Sequence, residues 1–140
     1  METPLPHGLD LLLDPSCKLA PSIVGMVLYG SVARGTMTPN SDIDVLVVLS
    51  ADTPLRRGLY NLVDEITGID PKVSVALVHL PASNMPPGGL WLEVARDGRI
   101  LHDPSGSVRE AMARLRDHIS AGRSVRMTTH GQGFWVHHAE

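Results

Sequence analysis

The sequence predicts an α+β domain in which a β-sheet lies in one layer and helices pack on one face of it. Three observations lead there. Short apolar runs, "SIVGMVLYG", "DIDVLVVL" and "KVSVALVHL", have strand length. Two longer segments, "ADTPLRRGLYNLVDEITGID" and "SVREAMARLRDHISAG", repeat their apolar residues with helical spacing. The order is strand, turn, strand, helix, strand, then helices.

Residues 1–8 are rich in Pro, Gly and polar groups and read as loose chain. Leu9, Leu12 and Leu13 suit one side of a short helix that Pro15 ends or kinks. The first strand runs from about Ile23 to Tyr29 and is apolar on both faces, so it belongs inside a sheet. The second runs from about Asp42 to Leu49. The helix that follows places Leu55, Leu59, Leu62, Val63 and Ile66 on one stripe. Thr53 suits its cap, Pro54 its first position and Gly68 the residue just past its end. Residues 72–80 make the third strand. After the proline-rich loop 81–89, a short helix spans about 89–97 and stops at Gly98, and "RILHD" adds a short strand. In the last helix Ser107 and Glu110 have capping-box spacing, and Val108, Ala111, Met112, Leu115 and Ile119 form the stripe. The final 18 residues show no clear period and read as a turn and an extended arm. No internal repeat is present.

At 140 residues the chain is expected to form a single domain, 1–140. It is 43% hydrophobic and 19% charged, as in a globular protein, with few aromatic side chains. One cysteine, Cys17, excludes an internal disulfide and suggests a reducing compartment. No run approaches the ~20 apolar residues that span a bilayer, and the N-terminus has no signal-peptide pattern. A cytoplasmic location follows. The net charge is −3, with five basic and nine acidic residues over 1–90 and seven Arg against six acids over 91–140. That balance does not indicate nucleic acid as a stable partner.

The chemistry concentrates in "LYGSVARGTMTPNSDIDVLVVL", residues 28–49. Alternate strand residues face the same way, so Asp42 and Asp44 point together with Cα atoms ~6.5–7 Å apart. They stand at the rim of an otherwise apolar strand. Two carboxylates there repel each other and lose hydration, and a hard divalent cation with oxygen ligands offsets both costs. Asp-x-Asp alone is weak evidence, because a lone Asp at a strand start is usually a turn former. The upstream turn strengthens it. Gly30 lets another group approach the backbone, Ser31 offers a hydroxyl, a short helix beginning there presents free N–H groups, Arg34 adds positive charge, and Gly35 lets the chain turn back. One element suits anions and the next cations, and a magnesium-bound nucleoside triphosphate needs both.

"GSVARGTMTPNSDIDVLVV" resembles the signature of the minimal nucleotidyltransferases of the DNA polymerase β-like superfamily: Gly-Ser, ten residues, then Asp-x-Asp among apolar strands. The close likeness covers about residues 24–49. "EVARDGRILHD" (93–103) resembles the family's ending, and 105–140, the C-terminal helix and arm, is less covered. The resemblance implies the palm-like nucleotidyltransferase fold, a two-layer mixed sheet. It also implies that Gly30 and Ser31 hold the triphosphate of ATP or another NTP, and that Asp42 and Asp44 are catalytic and coordinate Mg²⁺. An acceptor hydroxyl would attack the α-phosphate and pyrophosphate would leave. Small members often serve as the antitoxin of a two-gene pair and add AMP to a helical toxin, so a protein acceptor is implied.

One departure matters. The family normally carries a third carboxylate on the next core strand, and the corresponding slot in "KVSVALV" holds Ser74. A serine is a poor base and a weak metal ligand. Asp70 is the nearest acid, but four strand residues is ~13 Å and Pro71 intervenes. Glu93 lies on a later segment. The chain therefore transfers with two acids, recruits another acid, or is a catalytically degenerate module that binds a nucleotide or partner. Among the remaining residues, His130, His137 and His138 read as exposed chain, His79 as a satisfied edge or core histidine, and Trp91 and Trp135 as packing. Met37 and Thr38 lie in a loop between the turn and the acids.

Overall fold

The computed structural model describes residues 8–36, 42–68, 72–82 and 87–138. Strands β1 (Ile23–Tyr29), β2 (Ile43–Leu49), β3 (Val73–Val78) and β4 (Arg99–His102) form one sheet in the order β3-β2-β1-β4. The β1–β2 and β1–β4 pairs are antiparallel and β2–β3 is parallel. The sheet is mixed, as expected. The parallel step is made by a crossover through helix α2 (Arg57–Thr67). A four-residue helix α1 (Ser31–Arg34) follows β1, and α3 (Gly89–Asp97) and α4 (Ser107–Ser120) flank β4.

Helices cover both faces of this sheet, which corrects the expectation of one. On one face Met26, Leu28, Val45, Val47 and Leu49 pack under α2, α1 and the 3-10 segment Leu9–Leu13. On the other, Val27, Leu46 and Val48 pack under α3 and α4 through Trp91, Leu92, Val94, Val108 and Met112. The reason is alternation: five consecutive residues of β2, Val45 to Leu49, are buried, so neither face of that strand tolerates water. Gly25 admits α4 to this second layer. A Cβ there would stand 2.6 Å from Val108 Cγ2 and 2.7 Å from the His102 carbonyl oxygen.

Two caps differ from expectation. The N-terminus of α4 is closed by Asp103, whose carboxylate accepts hydrogen bonds from the Val108 and Arg109 N–H groups at 3.1 and 2.9 Å, rather than by a Ser107–Glu110 box. Helix α2 begins at Arg57, after Thr53 and Pro54, with no side-chain cap. Thr53 instead supplies its carbonyl to His79 Nε2 at 2.6 Å, leaving that histidine satisfied as expected. Gly68 ends α2 in the left-handed conformation, also as expected.

The C-terminal arm is a β-hairpin, β5 (Ser124–Thr129) and β6 (Gln132–His137), outside the main sheet. Its inner face is mostly polar, apart from Trp135, which packs against the core. Ser124 is fully buried, with its Oγ 2.6 Å from both His118 Nε2 and His137 Nδ1. Arg126 Nε and Trp135 Nε1 donate to Glu93 Oε1 at 2.8 and 3.3 Å. Polar inner contacts at alternating positions explain why no apolar period marks this segment.

Candidate functional site

The antiparallel pairing of β1 with β2 brings the end of one strand to the start of the other. Tyr29, the last residue of β1, lies opposite Asp44. The parallel pairing of β2 with β3 places Ser74 on the other side of Asp44. Tyr29, Asp44 and Ser74 thus form a row across three strands, on the face that Leu46 and Ala76 present to α3 and α4. Asp42 immediately precedes β2 and is exposed, while Asp44 is half-buried.

Gly30 connects this row to α1. Its backbone has φ 78° and ψ −156°, a region that side chains with a Cβ rarely adopt. The space a Cβ would fill is taken by the Asp44 carboxylate, whose Cγ lies 3.2 Å from that position. The glycine-serine turn and the acid pair are therefore in contact. Ser31 opens α1, and the Arg34 N–H donates to the Gly30 carbonyl oxygen at 3.1 Å. Gly35 closes the helix in the left-handed conformation, as the sequence suggested.

The electrostatics follow from this packing. Burial raises the Asp44 pKa, the Asp42 charge raises it further, and Arg34 lowers it. Burial also raises the Tyr29 pKa, helped by the charge of Asp44 and by Tyr60, so the phenol stays neutral. A half-buried carboxylate beside a second one suits a hard cation that would relieve both penalties. Among the described residues no group of three or more His, Cys, Asp or Glu gathers to hold a metal. The donors present fit an ion completed by water and phosphate oxygens, not one caged by protein alone.

The five residues singled out in the sequence, Gly30, Ser31, Arg34, Asp42 and Asp44, fall in one region. Ser74 occupies the expected slot and is exposed. Glu93 does not fill the gap: its Oε1 is engaged by Arg126 and Trp135. Asp70, Met37 and Thr38 lie outside the described residues. Two neighbours escaped the sequence reading. Tyr29 enters through strand register. Asp97, the last residue of α3, approaches Arg34 with Oδ2–Nη1 at 3.9 Å. Their signal was present in outline, since Tyr29 directly precedes the turn and Asp97 follows Glu93 by one helical turn.

A family model described as a nucleotidyltransferase domain matches residues 9–91. No curated protein matches the chain. Among solved structures, a toxin–antitoxin complex with AMP-PNP is 26% identical, with a TM-score of 0.50 over 82% of this chain and 88% of that one. A mutant of the toxin–antitoxin pair MntA-HpeT, in which two aspartates two positions apart are replaced by glutamate, is 25% identical with the same TM-score and coverage.

Proposed function

The chain belongs to the nucleotidyltransferase domain family, and from that premise we propose that it transfers a nucleoside monophosphate, AMP from ATP, to an acceptor hydroxyl on a protein partner. The observation that carries this reading is the contact between Gly30 and the Asp44 carboxylate, which joins an anion-binding turn to an acid pair. The backbone of Gly30 and the hydroxyl of Ser31 bind and orient the triphosphate. Arg34 adds fixed positive charge beside it. Asp42 and Asp44 would hold Mg²⁺, which would supply charge neutralisation at the phosphates. The acceptor oxygen forms a bond to the α-phosphorus, the bond to pyrophosphate breaks, and the hydroxyl proton passes to solvent. Catalysis here is mainly positioning and electrostatics, so few side chains suffice.

The protein acceptor is supported by the toxin–antitoxin structures that the chain resembles and by a net charge of −3, which does not suit a polyanionic partner. The toxin partner is the acceptor we favour. A cytoplasmic setting is supported by the single cysteine; among the described residues no helix is long and apolar enough to cross a membrane. A single domain over 1–140 completes the proposal.

A second reading rests on Ser74. The neutral hydroxyl beside Asp44 leaves the acid pair without a third carboxylate, as in a module that binds Mg-nucleotide without transferring it. Incubation with Mg²⁺, α-labelled ATP and the candidate toxin separates the two. Transfer of label with release of pyrophosphate, lost in Asp42→Asn and Asp44→Asn, is the expected result. Metal-dependent nucleotide binding with neither product would support the module, and no such binding would remove both readings.

A further inference from the structure

Helix α1 packs on one face of the sheet through Val32 and Ala33, and α3 packs on the other through Leu92, Val94 and Ala95. Arg34 and Asp97, the last residues of these helices, meet at the end of the sheet where Gly30 touches Asp44. The ion pair therefore ties the two helical layers together beside the acids. Asp97 Oδ2 is buried and lies 3.9 Å from Arg34 Nη1 and 3.5 Å from Arg96 Nη1. Among the described residues it accepts no hydrogen bond. It attracts the Arg34 guanidinium without consuming the N–H donors that a phosphate would use.

An arginine side chain free in solvent loses rotamer entropy when a ligand immobilises it. Restricting it beforehand reduces that cost. The aspartate is itself restrained. Arg96 lies between Asp97 and Glu93, 3.9 Å from Glu93 Oε2, and Glu93 is tied to the hairpin by Arg126 and Trp135. The Arg34 side chain is 36% exposed, so it remains within reach of an incoming anion.

We propose that Asp97 is a positioning residue for nucleotide binding: its carboxylate holds the Arg34 guanidinium beside the Gly30–Ser31 turn, ready for the triphosphate. Asp97 itself touches neither nucleotide nor metal. The proposal deepens the nucleotidyltransfer reading and rests on it.

The test measures binding of a fluorescent ATP analogue with Mn²⁺, and of Mn²⁺ alone, to the full chain and its variants. Asp97→Asn is expected to weaken nucleotide binding by about two- to fivefold, the range of a partly exposed ion pair, and to leave the affinity for Mn²⁺ alone unchanged. Arg34→Gln weakens nucleotide binding at least as much. Adding Asp97→Asn to Arg34→Gln changes nothing further, because the aspartate acts through the arginine. Asp97→Glu, which keeps the charge, recovers most of the affinity and serves where the asparagine variant does not fold. Unchanged or tighter binding by Asp97→Asn, an additive loss in the double variant, or a loss of Mn²⁺ affinity would each overturn the proposal. If the unsubstituted chain binds no nucleotide, the nucleotidyltransfer reading falls and takes this inference with it. If that chain binds and Asp44→Asn does not, while Asp97→Asn matches the unsubstituted chain, only this inference falls.

Discussion

At Asp44, burial and the neighbouring Asp42 carboxylate raise the pKa while Arg34 opposes them. The unfolded chain titrates this group near 3.8 and the folded chain titrates it higher. Between those values the folded state binds more protons, so stability falls as pH rises through the window and stays lower at neutral pH. Asp44→Asn removes that burden. Without metal, its thermal midpoint at pH 7 should exceed that of the unsubstituted chain, and the difference should close as pH falls below about 3.8. Nucleotide binding with Mg²⁺ should be lost in the same variant. This opposition, a side chain that weakens the fold while building the site, is characteristic of functional positions. A midpoint at pH 7 no higher than that of the unsubstituted chain would contradict the electrostatic account.

Trp135 packs the hairpin against the core under α3 and α4, and polar contacts hold the rest of its inner face. Ser124 stands between His118 and His137, its hydroxyl 2.6 Å from a ring nitrogen of each. Burial lowers the His118 pKa below its ordinary 6.5, and the Arg123 and His137 charges lower it further. The unfolded state therefore takes up a proton first as pH falls, so the anchor is intact above about 6.5 and weakens below it. Amide hydrogen exchange, corrected for intrinsic rates, should show β5 and β6 opening more readily at about pH 5 than at about pH 7.5, while β1 and β2 stay protected. Ser124→Ala should open the hairpin at both pH values. Equal protection of the hairpin across that range would remove the histidines from its anchoring.

For the whole molecule, the sheet carries a helical layer on each face, and the candidate site lies at one end of it, where β1 finishes and β2 and β3 begin. That end offers two acids, an arginine, a serine-bearing turn and a neutral hydroxyl; Asp42, Arg34 and Ser74 are exposed there, and Asp44 and Ser31 are half-buried. A ligand that binds only this folded arrangement stabilises the whole domain by mass action. Mg-ATP at about 100 times its dissociation constant should add ~2.7 kcal/mol and raise the thermal midpoint by several degrees. Removing Mg²⁺ with a chelator should abolish the shift, as should Asp42→Asn. A shift that persists without the metal would place the nucleotide somewhere other than the acid pair.

The sequence by itself did not determine the C-terminal hairpin, but it determined the strand and helix order as far as α4, the glycine-serine turn and the spacing of the two aspartates. These are local properties: side-chain period, the reach of a turn, and alternation along one strand. It also held the evidence for a sheet covered on both faces, since the first strand is apolar on both sides, although the layer count drawn from it was too low. Only the tertiary structure decided that Gly30 packs on the Asp44 carboxylate, that Ser74 pairs across from Asp44, that Glu93 of α3 is engaged by the hairpin, and that Asp97 meets Arg34. Each is a contact between residues distant in the chain, set by strand register and helix packing, and no local pattern encodes which partner a side chain will find.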